Sequence, residues 1–351
     1  MRARRLRIMG LFLLSALMQG TQVVSAQAGS PAGPIPVKVL AARRSALLDS
    51  LGTGVAVLRS AGAMSIEGDY PQASDFRQDN DFFYLTGLET PDSWLVFVAR
   101  EDTVDETILF IPPRNPSQER WTGPKPGPDS LVAARTGITD IRPADDVESD
   151  IRQLLFSRSS PARTGGVYLK LDEDAGTDSY IRGLVFGRPA GDIHDLRVQL
   201  AQLRVVKDAE GMRRLEKAIE LTDEAQLAAM RVARPGIHEY ELEAEIEATF
   251  RRGGAERVGF PSIVGSGINS TVLHYDKNRR QTEDGDLVVM DIGAEFGYYS
   301  ADITRTIPVS GRFTDRQKEV YELVLATQQA AIDSVRPGTT VRDLNRVARD
   351  Y

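Results

Sequence analysis

The chain has 351 residues, with 43 Lys and Arg against 50 Asp and Glu and a formal net charge of −7. That acidic balance excludes nucleic acid and anionic lipid as partners, since either needs positive charge to offset phosphate. The absence of cysteine removes disulfides, thiolate metal sites and a thiol nucleophile together.

Arg2, Arg4, Arg5 and Arg7 precede an apolar run from Ile8 to Met18, and small residues follow at Val24-Ser25-Ala26. This is the layout of a secretory signal peptide. The run falls short of the roughly 20 apolar residues that cross a bilayer. Residues 1–26 are therefore expected to be removed on export to the periplasm or the medium, leaving no membrane attachment. Losing four arginines and no acidic side chain moves the charge from −7 to −11.

Residues 27–36 are Pro/Gly-rich and read as a linker. The following stretch, Val37 to Leu51, is amphipathic, and apolar runs at Val55–Leu58, Trp94–Ala99 and Thr107–Ile111 predict strands. The charged turn Arg100 to Glu106 makes the last two a hairpin. Helical periodicity at Val147–Phe156, a strand at Val167–Leu171 and a helix at Leu196–Leu203 complete an α/β domain over residues 37–205.

A second domain is expected over 206–351. Asp208 is a predicted N-cap, and Met212, Leu215, Ile219, Ala225 and Ala229 fall on one helical face with Thr222 between them, up to the stop at Arg234-Pro235-Gly236. Leu242, Ile246 and Phe250 mark another helix. Strands are predicted at Phe260–Val264, Leu287–Ile292 and Tyr298–Val309. Thr314 with Gln317 forms a capping box opening a helix that ends at Arg336-Pro337-Gly338, before a last helical stretch from Val341 to Tyr351. The recurring helix and Arg-Pro-Gly pattern has two explanations, an internal duplication or a common helix stop.

The strongest local chemistry lies between Leu287 and Thr306. With Phe296 and Gly297 at the tip of a tight hairpin, Asp291 pairs directly with Asp302, their Cβ atoms roughly 5 Å apart on one face. Two such carboxylates repel, and a divalent cation between them removes the conflict. Oxygen ligation favours hard ions such as Mn²⁺ or Mg²⁺ and leaves Zn²⁺ and Co²⁺ open. Thr304, on the same face, is placed to hydrogen-bond a ligating carboxylate. The plain alternative is a pair of aspartates on a solvated face. His194 and His238 lie near helix starts, where bonding to free backbone groups is the ordinary role.

The segments Val264–Asn269, Leu273–Tyr275, Asp284–Glu295 and Ala301–Thr306 resemble the catalytic domain of Xaa-Pro aminopeptidases, in the pita-bread fold shared with methionine aminopeptidase, prolidase and creatinase. Arg77–Gly87 and Glu119–Gly123 resemble the creatinase-type N-terminal domain of these enzymes. The resemblance implies an α/β N-terminal domain followed by an α+β pita-bread domain whose second half is incomplete here. It also implies a metallopeptidase that acts on peptides with proline at the second position through a water activated by two divalent metal ions, commonly Mn²⁺. By motif, Asp291 and Asp302 match the two aspartate ligands, and His274 matches the histidine that contacts substrate and stabilises the tetrahedral intermediate. Trp121 matches the segment from which an aromatic of a neighbouring subunit approaches the site in related enzymes, which implies a homo-oligomer. The remaining family ligands, one His and two Glu, would lie beyond Tyr351, so this chain is expected to bind metal weakly, to be inactive by itself and to expose an unfinished core. Two alternatives stand beside the aminopeptidase: a prolidase restricted to dipeptides, and a non-catalytic scaffold that kept the fold.

Overall fold

The computed structural model describes residues 30–62, 76–101, 104–171, 183 and 192–351. The expected signal peptide and the start of the linker lie outside the described residues.

The first domain is a six-stranded sheet in the order β4-β3-β2-β1-β5-β6. Its strands are β1 (Gly54–Arg59), β2 (Trp94–Ala99), β3 (Glu106–Ile111), β4 (Asp140–Pro143), β5 (Val167–Leu169) and β6 (Ile193–Asp195). The β2–β3 pairing is the expected antiparallel hairpin, and β2 also pairs antiparallel with β1. The outer pairings are parallel. The helices are α1 (Val37–Leu51), α2 (Asn80–Thr86), α3 (Pro116–Thr122), α4 (Ser130–Thr136), α5 (Val147–Phe156) and α6 (Leu196–Val205).

Strand alternation sorts the apolar residues onto two cores. Ala56, Leu58, Leu95, Phe97, Leu109 and Ile111 pack with residues of α1, α2 and α6 on one face. Val55, Val57, Val96, Val98, Ile108 and Phe110 pack with α5 on the other. Covering both faces is why β2 reads as an unbroken apolar run instead of an alternating one.

The second domain opens with α7 (Ala209–Val232) and α8 (Glu239–Arg252). Asp208 caps α7 as expected, accepting from the Gly211 N–H at 2.7 Å. Both helices pack on β7 (Arg257–Val258), β8 (Ile263–Ser266), β9 (Leu287–Ile292), β10 (Ala294–Phe296), β11 (Tyr299–Ser300) and β12 (Ile303–Pro308). These strands form two three-stranded sheets, β11-β10-β7 and β12-β9-β8. After them come α9 (Asp315–Asp333), with the expected Thr314–Gln317 capping box, and α10 (Val341–Asp350). Neither α9 nor α10 buries a residue.

Three expectations change. The strand predicted at Phe260–Val264 forms instead at Ile263–Ser266. The run Tyr298–Val309 is not one strand, because the ladder breaks at Ala301 and Asp302 between β11 and β12. The inner face of α7 is also turned from the expected one: Met212 and Ile219 are exposed, whereas Arg214 and Ala218 are buried. Arg214 enters the interior because its guanidinium donates to Glu210 at 2.7 Å, to the Gly33 carbonyl at 2.8 Å and to the Gly297 carbonyl at 3.3 Å. Apolar periodicity carries no signal for an arginine satisfied in that way.

Candidate metal centre

Along β9 the side chains alternate. Val288, Met290 and Ile292 are buried in the core with α7 and α8, and Leu287, Val289 and Asp291 turn to the opposite, half-exposed face. Asp291 lies between Ile263 of β8 and Thr304 of β12, its partners in the two ladders. The Thr304 Oγ1 donates to Asp291 Oδ1 at 2.8 Å.

The direct pairing of Asp291 with Asp302 expected from the sequence does not occur. Thr304 faces Asp291, and Phe296 faces Tyr299. The turn is therefore Gly297-Tyr298, one residue later than the expected tip, with φ of 57° and 71° at the two positions. Left-handed angles at both centres give the turn whose twist suits a two-residue hairpin. By that register Asp302 lies across from Gly293 and diagonal to Asp291, still on the face of Asp291 and Thr304 because facing alternates with period two. Gly293 is required there, since a Cβ would lie 1.9 Å from the Ala301 carbonyl oxygen. Helix α7 supports the break: Thr222 Oγ1 accepts from the Ala294 N–H at 3.0 Å, and Gln226 Nε2 donates to the carbonyls of Met290 and Ile303.

The two aspartates remain in contact across this diagonal. Partial desolvation, the charge of Asp291 and an interaction with its carboxylate push the solvent-facing Asp302 carboxyl above its ordinary range. A pair of oxygen ligands strained by its own repulsion fits a divalent cation. Among the described residues, no group of three or more His, Cys, Asp or Glu side chains is arranged to hold a metal ion.

His274 lies in an exposed turn after the 3-10 segment Gly267–Thr271, outside the hydrogen bonds that join Thr304 and the aspartates. Trp121, on α3, is 78% exposed. The other histidines have structural employment. His194 stacks on Tyr168, and His238 is the N-cap of α8 in a capping box with Glu241.

Sequence reasoning missed the residues that hold the far end of the hairpin. Tyr298 Oη accepts from the Gln78 N–H at 3.0 Å and donates to Glu89 at 2.8 Å, joining the turn to the N-terminal domain. Burial and the charge of Glu89 raise the Tyr298 phenol well above its usual range. On β10, buried Glu295 receives Arg77 Nη2 at 2.7 Å and Arg257 Nη1 at 3.3 Å. An acidic residue in an apolar strand just before the turn was the available signal, but its nearer-bonded partner, Arg77, lies 218 residues away in sequence.

The comparisons with known proteins agree with this architecture. A model of the aminopeptidase P N-terminal domain matches residues 40–162, and one of metallopeptidase family M24 matches residues 213–351. The Xaa-Pro aminopeptidase of Escherichia coli strain K12 is 34% identical over 311 residues, covering 86% of this chain and 69% of the relative. That of Haemophilus influenzae is 33% identical over 270 residues, covering 77% and 60%. An Escherichia coli aminopeptidase P solved in complex with substrate superposes with a TM-score of 0.81 at 32% identity, over 90% of this chain and 72% of that one. Proline aminopeptidase P II from Yersinia pestis gives 0.81 at 31% identity over the same shares. With a creatinase-type α/β domain followed by a pita-bread domain, the chain belongs to the Xaa-Pro aminopeptidase family of metallo-aminopeptidases.

Proposed function

We propose that this protein hydrolyses the N-terminal Xaa-Pro bond of peptides, with Asp291 and Asp302 as two of the ligands of a dinuclear metal centre. The observation that carries the proposal is the carboxylate pair itself, Asp302 held against Asp291 while Thr304 orients Asp291 from the same face. Divalent ions bound there offset the repulsion and supply Lewis acidity for the attack of water on a peptide carbonyl. Mn²⁺ is the ion we propose, with Zn²⁺ or Co²⁺ as substitutes. A Zn-substituted form of the Escherichia coli protein has been solved with product.

His274 has the chemistry of a donor to the oxygen of the scissile carbonyl, and its exposed turn leaves the imidazole open to substrate. The exposed ring of Trp121 suits contact with a second subunit in a homo-oligomer. The basic, apolar and small-residue order of residues 1–26 supports export.

The test is release of the first residue from an Xaa-Pro peptide, followed by mass spectrometry after loading with Mn²⁺, Zn²⁺ or Co²⁺. Cleavage that stops on adding a chelator and fails in Asp291→Asn would support the activity and overturn the inactivity expected of these 351 residues. No cleavage with any of the three ions would agree with that inactivity and refute the activity for this chain. Export is tested separately by sequencing the N-terminus of the protein recovered from the periplasm of a bacterial host, where a start near residue 27 is expected.

A further inference from the structure

A further buried carboxylate of the pita-bread domain stands at the start of α8, with hydrogen-bond partners other than those of the aspartate pair. Glu239, the first residue of α8, is 0% exposed. Its Oε1 accepts from the Ser266 N–H and Oγ, both at 2.7 Å, and from Asn269 Nδ2 at 3.2 Å. Its Oε2 accepts from Tyr275 Oη and the Arg280 N–H, both at 2.8 Å. Burial alone would raise the carboxyl, yet the bonds from Ser266, Arg280 and Tyr275 outweigh it and hold Glu239 below its ordinary range.

These donors are not scattered. They all belong to the stretch from the end of β8 to Arg280, and they flank His274, with Asn269 before it and Tyr275 immediately after. The tip of this loop is pushed outward, Leu273 being 87% exposed. An apolar tip held in water has no burial of its own to order it. Its order has to come from its base, and Glu239 bonds both ends of that base. Helix capping does not account for this carboxylate, because Glu241 supplies the partner of the His238 capping box.

We propose that Glu239 is a positioning residue: its carboxylate fixes the loop from Ser266 to Arg280 and thereby the place of the His274 imidazole. The inference deepens the function proposed above and rests on its assignment of His274 to substrate contact. Glu239 itself does not touch substrate. Every neighbour of its two oxygens is a donor, so an amide at this position turns an N–H against at least one of them.

The chain contains three histidines, so the imidazole signals in a carbon–proton NMR spectrum are few, and His274→Gln assigns the one in question. In Glu239→Gln the His274 signal is expected to shift and broaden while that of His194 stays in place. The amides of Ser266 and Arg280 are expected to exchange about tenfold faster or more, as local opening becomes easier. Tyr275→Phe, which removes a single donor and keeps the ring, is expected to move the same signal by less. A His274 signal unmoved in both variants overturns the proposal, as does a Glu239→Gln spectrum in which all three histidines move together. If Glu239→Gln does not fold, Tyr275→Phe decides alone. None of these readouts needs turnover, so a parent protein that cleaves no peptide counts against the proposed activity and leaves the positioning to be judged by the imidazole signal.

Discussion

The ring of Tyr298 stacks on that of Phe83, with centroids 3.8 Å apart and planes 16° from parallel. One residue is the turn of the hairpin that carries both aspartates, and the other belongs to α2 of the N-terminal domain. The contact also accounts for a non-glycine residue at a φ of 71°. Such a backbone costs about 1 kcal/mol or more, and the stacked ring with its two hydrogen bonds offsets it.

Tyr298→Phe keeps the stack and removes the acceptor of the Gln78 N–H. It is expected to lower stability by about 1–2 kcal/mol, the cost of a buried donor left without a partner. Tyr298→Gly relaxes the backbone but loses the ring, and should cost more, about 2–4 kcal/mol. Urea denaturation midpoints check both, and an unchanged midpoint for Tyr298→Phe would show that the clasp contributes nothing.

Arg77 and Glu295 should be energetically coupled. The Glu295 side chain is 3% exposed and that of Arg77 33%, so the loss of Arg77 leaves a buried carboxylate partly unpaired, whereas an orphaned Arg77 reaches water. Arg77→Ala is therefore expected to cost more than a surface pair would. The double variant with Glu295→Ala should cost less than the sum of the single changes, by about 1–2 kcal/mol. A double-mutant cycle on unfolding free energies measures the difference, and strict additivity would mean that the ion pair carries no stability.

Asp302→Asn separates repulsion from metal binding. Without metal it is expected to leave the unfolding temperature unchanged or raise it slightly, because a carboxylate pressed against Asp291 is removed. With Mn²⁺ added, the parent should gain stability through binding to the folded state, and the variant should gain less. Thermal scans with and without the ion read both effects. Equal gains would place the ion elsewhere.

Stability should fall in acid partly through Glu239. Its folded carboxyl lies below the ordinary value of 4.5, so the folded state binds that proton more weakly than the unfolded chain does. The contribution is complete above the ordinary value and is lost as pH drops through the folded one. Asp208, held down by Arg43 and the Gly211 N–H against the opposing effect of burial, acts in the same direction. Unfolding midpoints recorded from neutral pH downward should bend near the ordinary carboxylate range, and bend less in Glu239→Gln.

What could be read from the sequence was local. The strand Leu287–Ile292, the Asp208 cap and the Thr314–Gln317 box were legible because each depends on neighbours within a few residues. The aspartates were correctly placed on one face, since facing depends only on parity, but their pairing was displaced because the turn admits a tyrosine where a local rule expects glycine. That exception is set by Phe83, Glu89 and Gln78, more than 200 residues upstream. Glu239 was missed for a related reason: at the first position of a helix an acidic residue already has a sufficient local explanation in the helix dipole.

The clasped turn also acts as a stop against slippage. Were the ribbon to slide by one position, Asp291 would be carried toward the helices and Met290 out to the open side, since each step exchanges the two surfaces. By tying Tyr298 to a separate domain, the protein links the alignment of its acidic pair to the docking of a body that contributes neither of those carboxylates. A chain with its two domains out of place would therefore be penalised at the site where the ligands must meet.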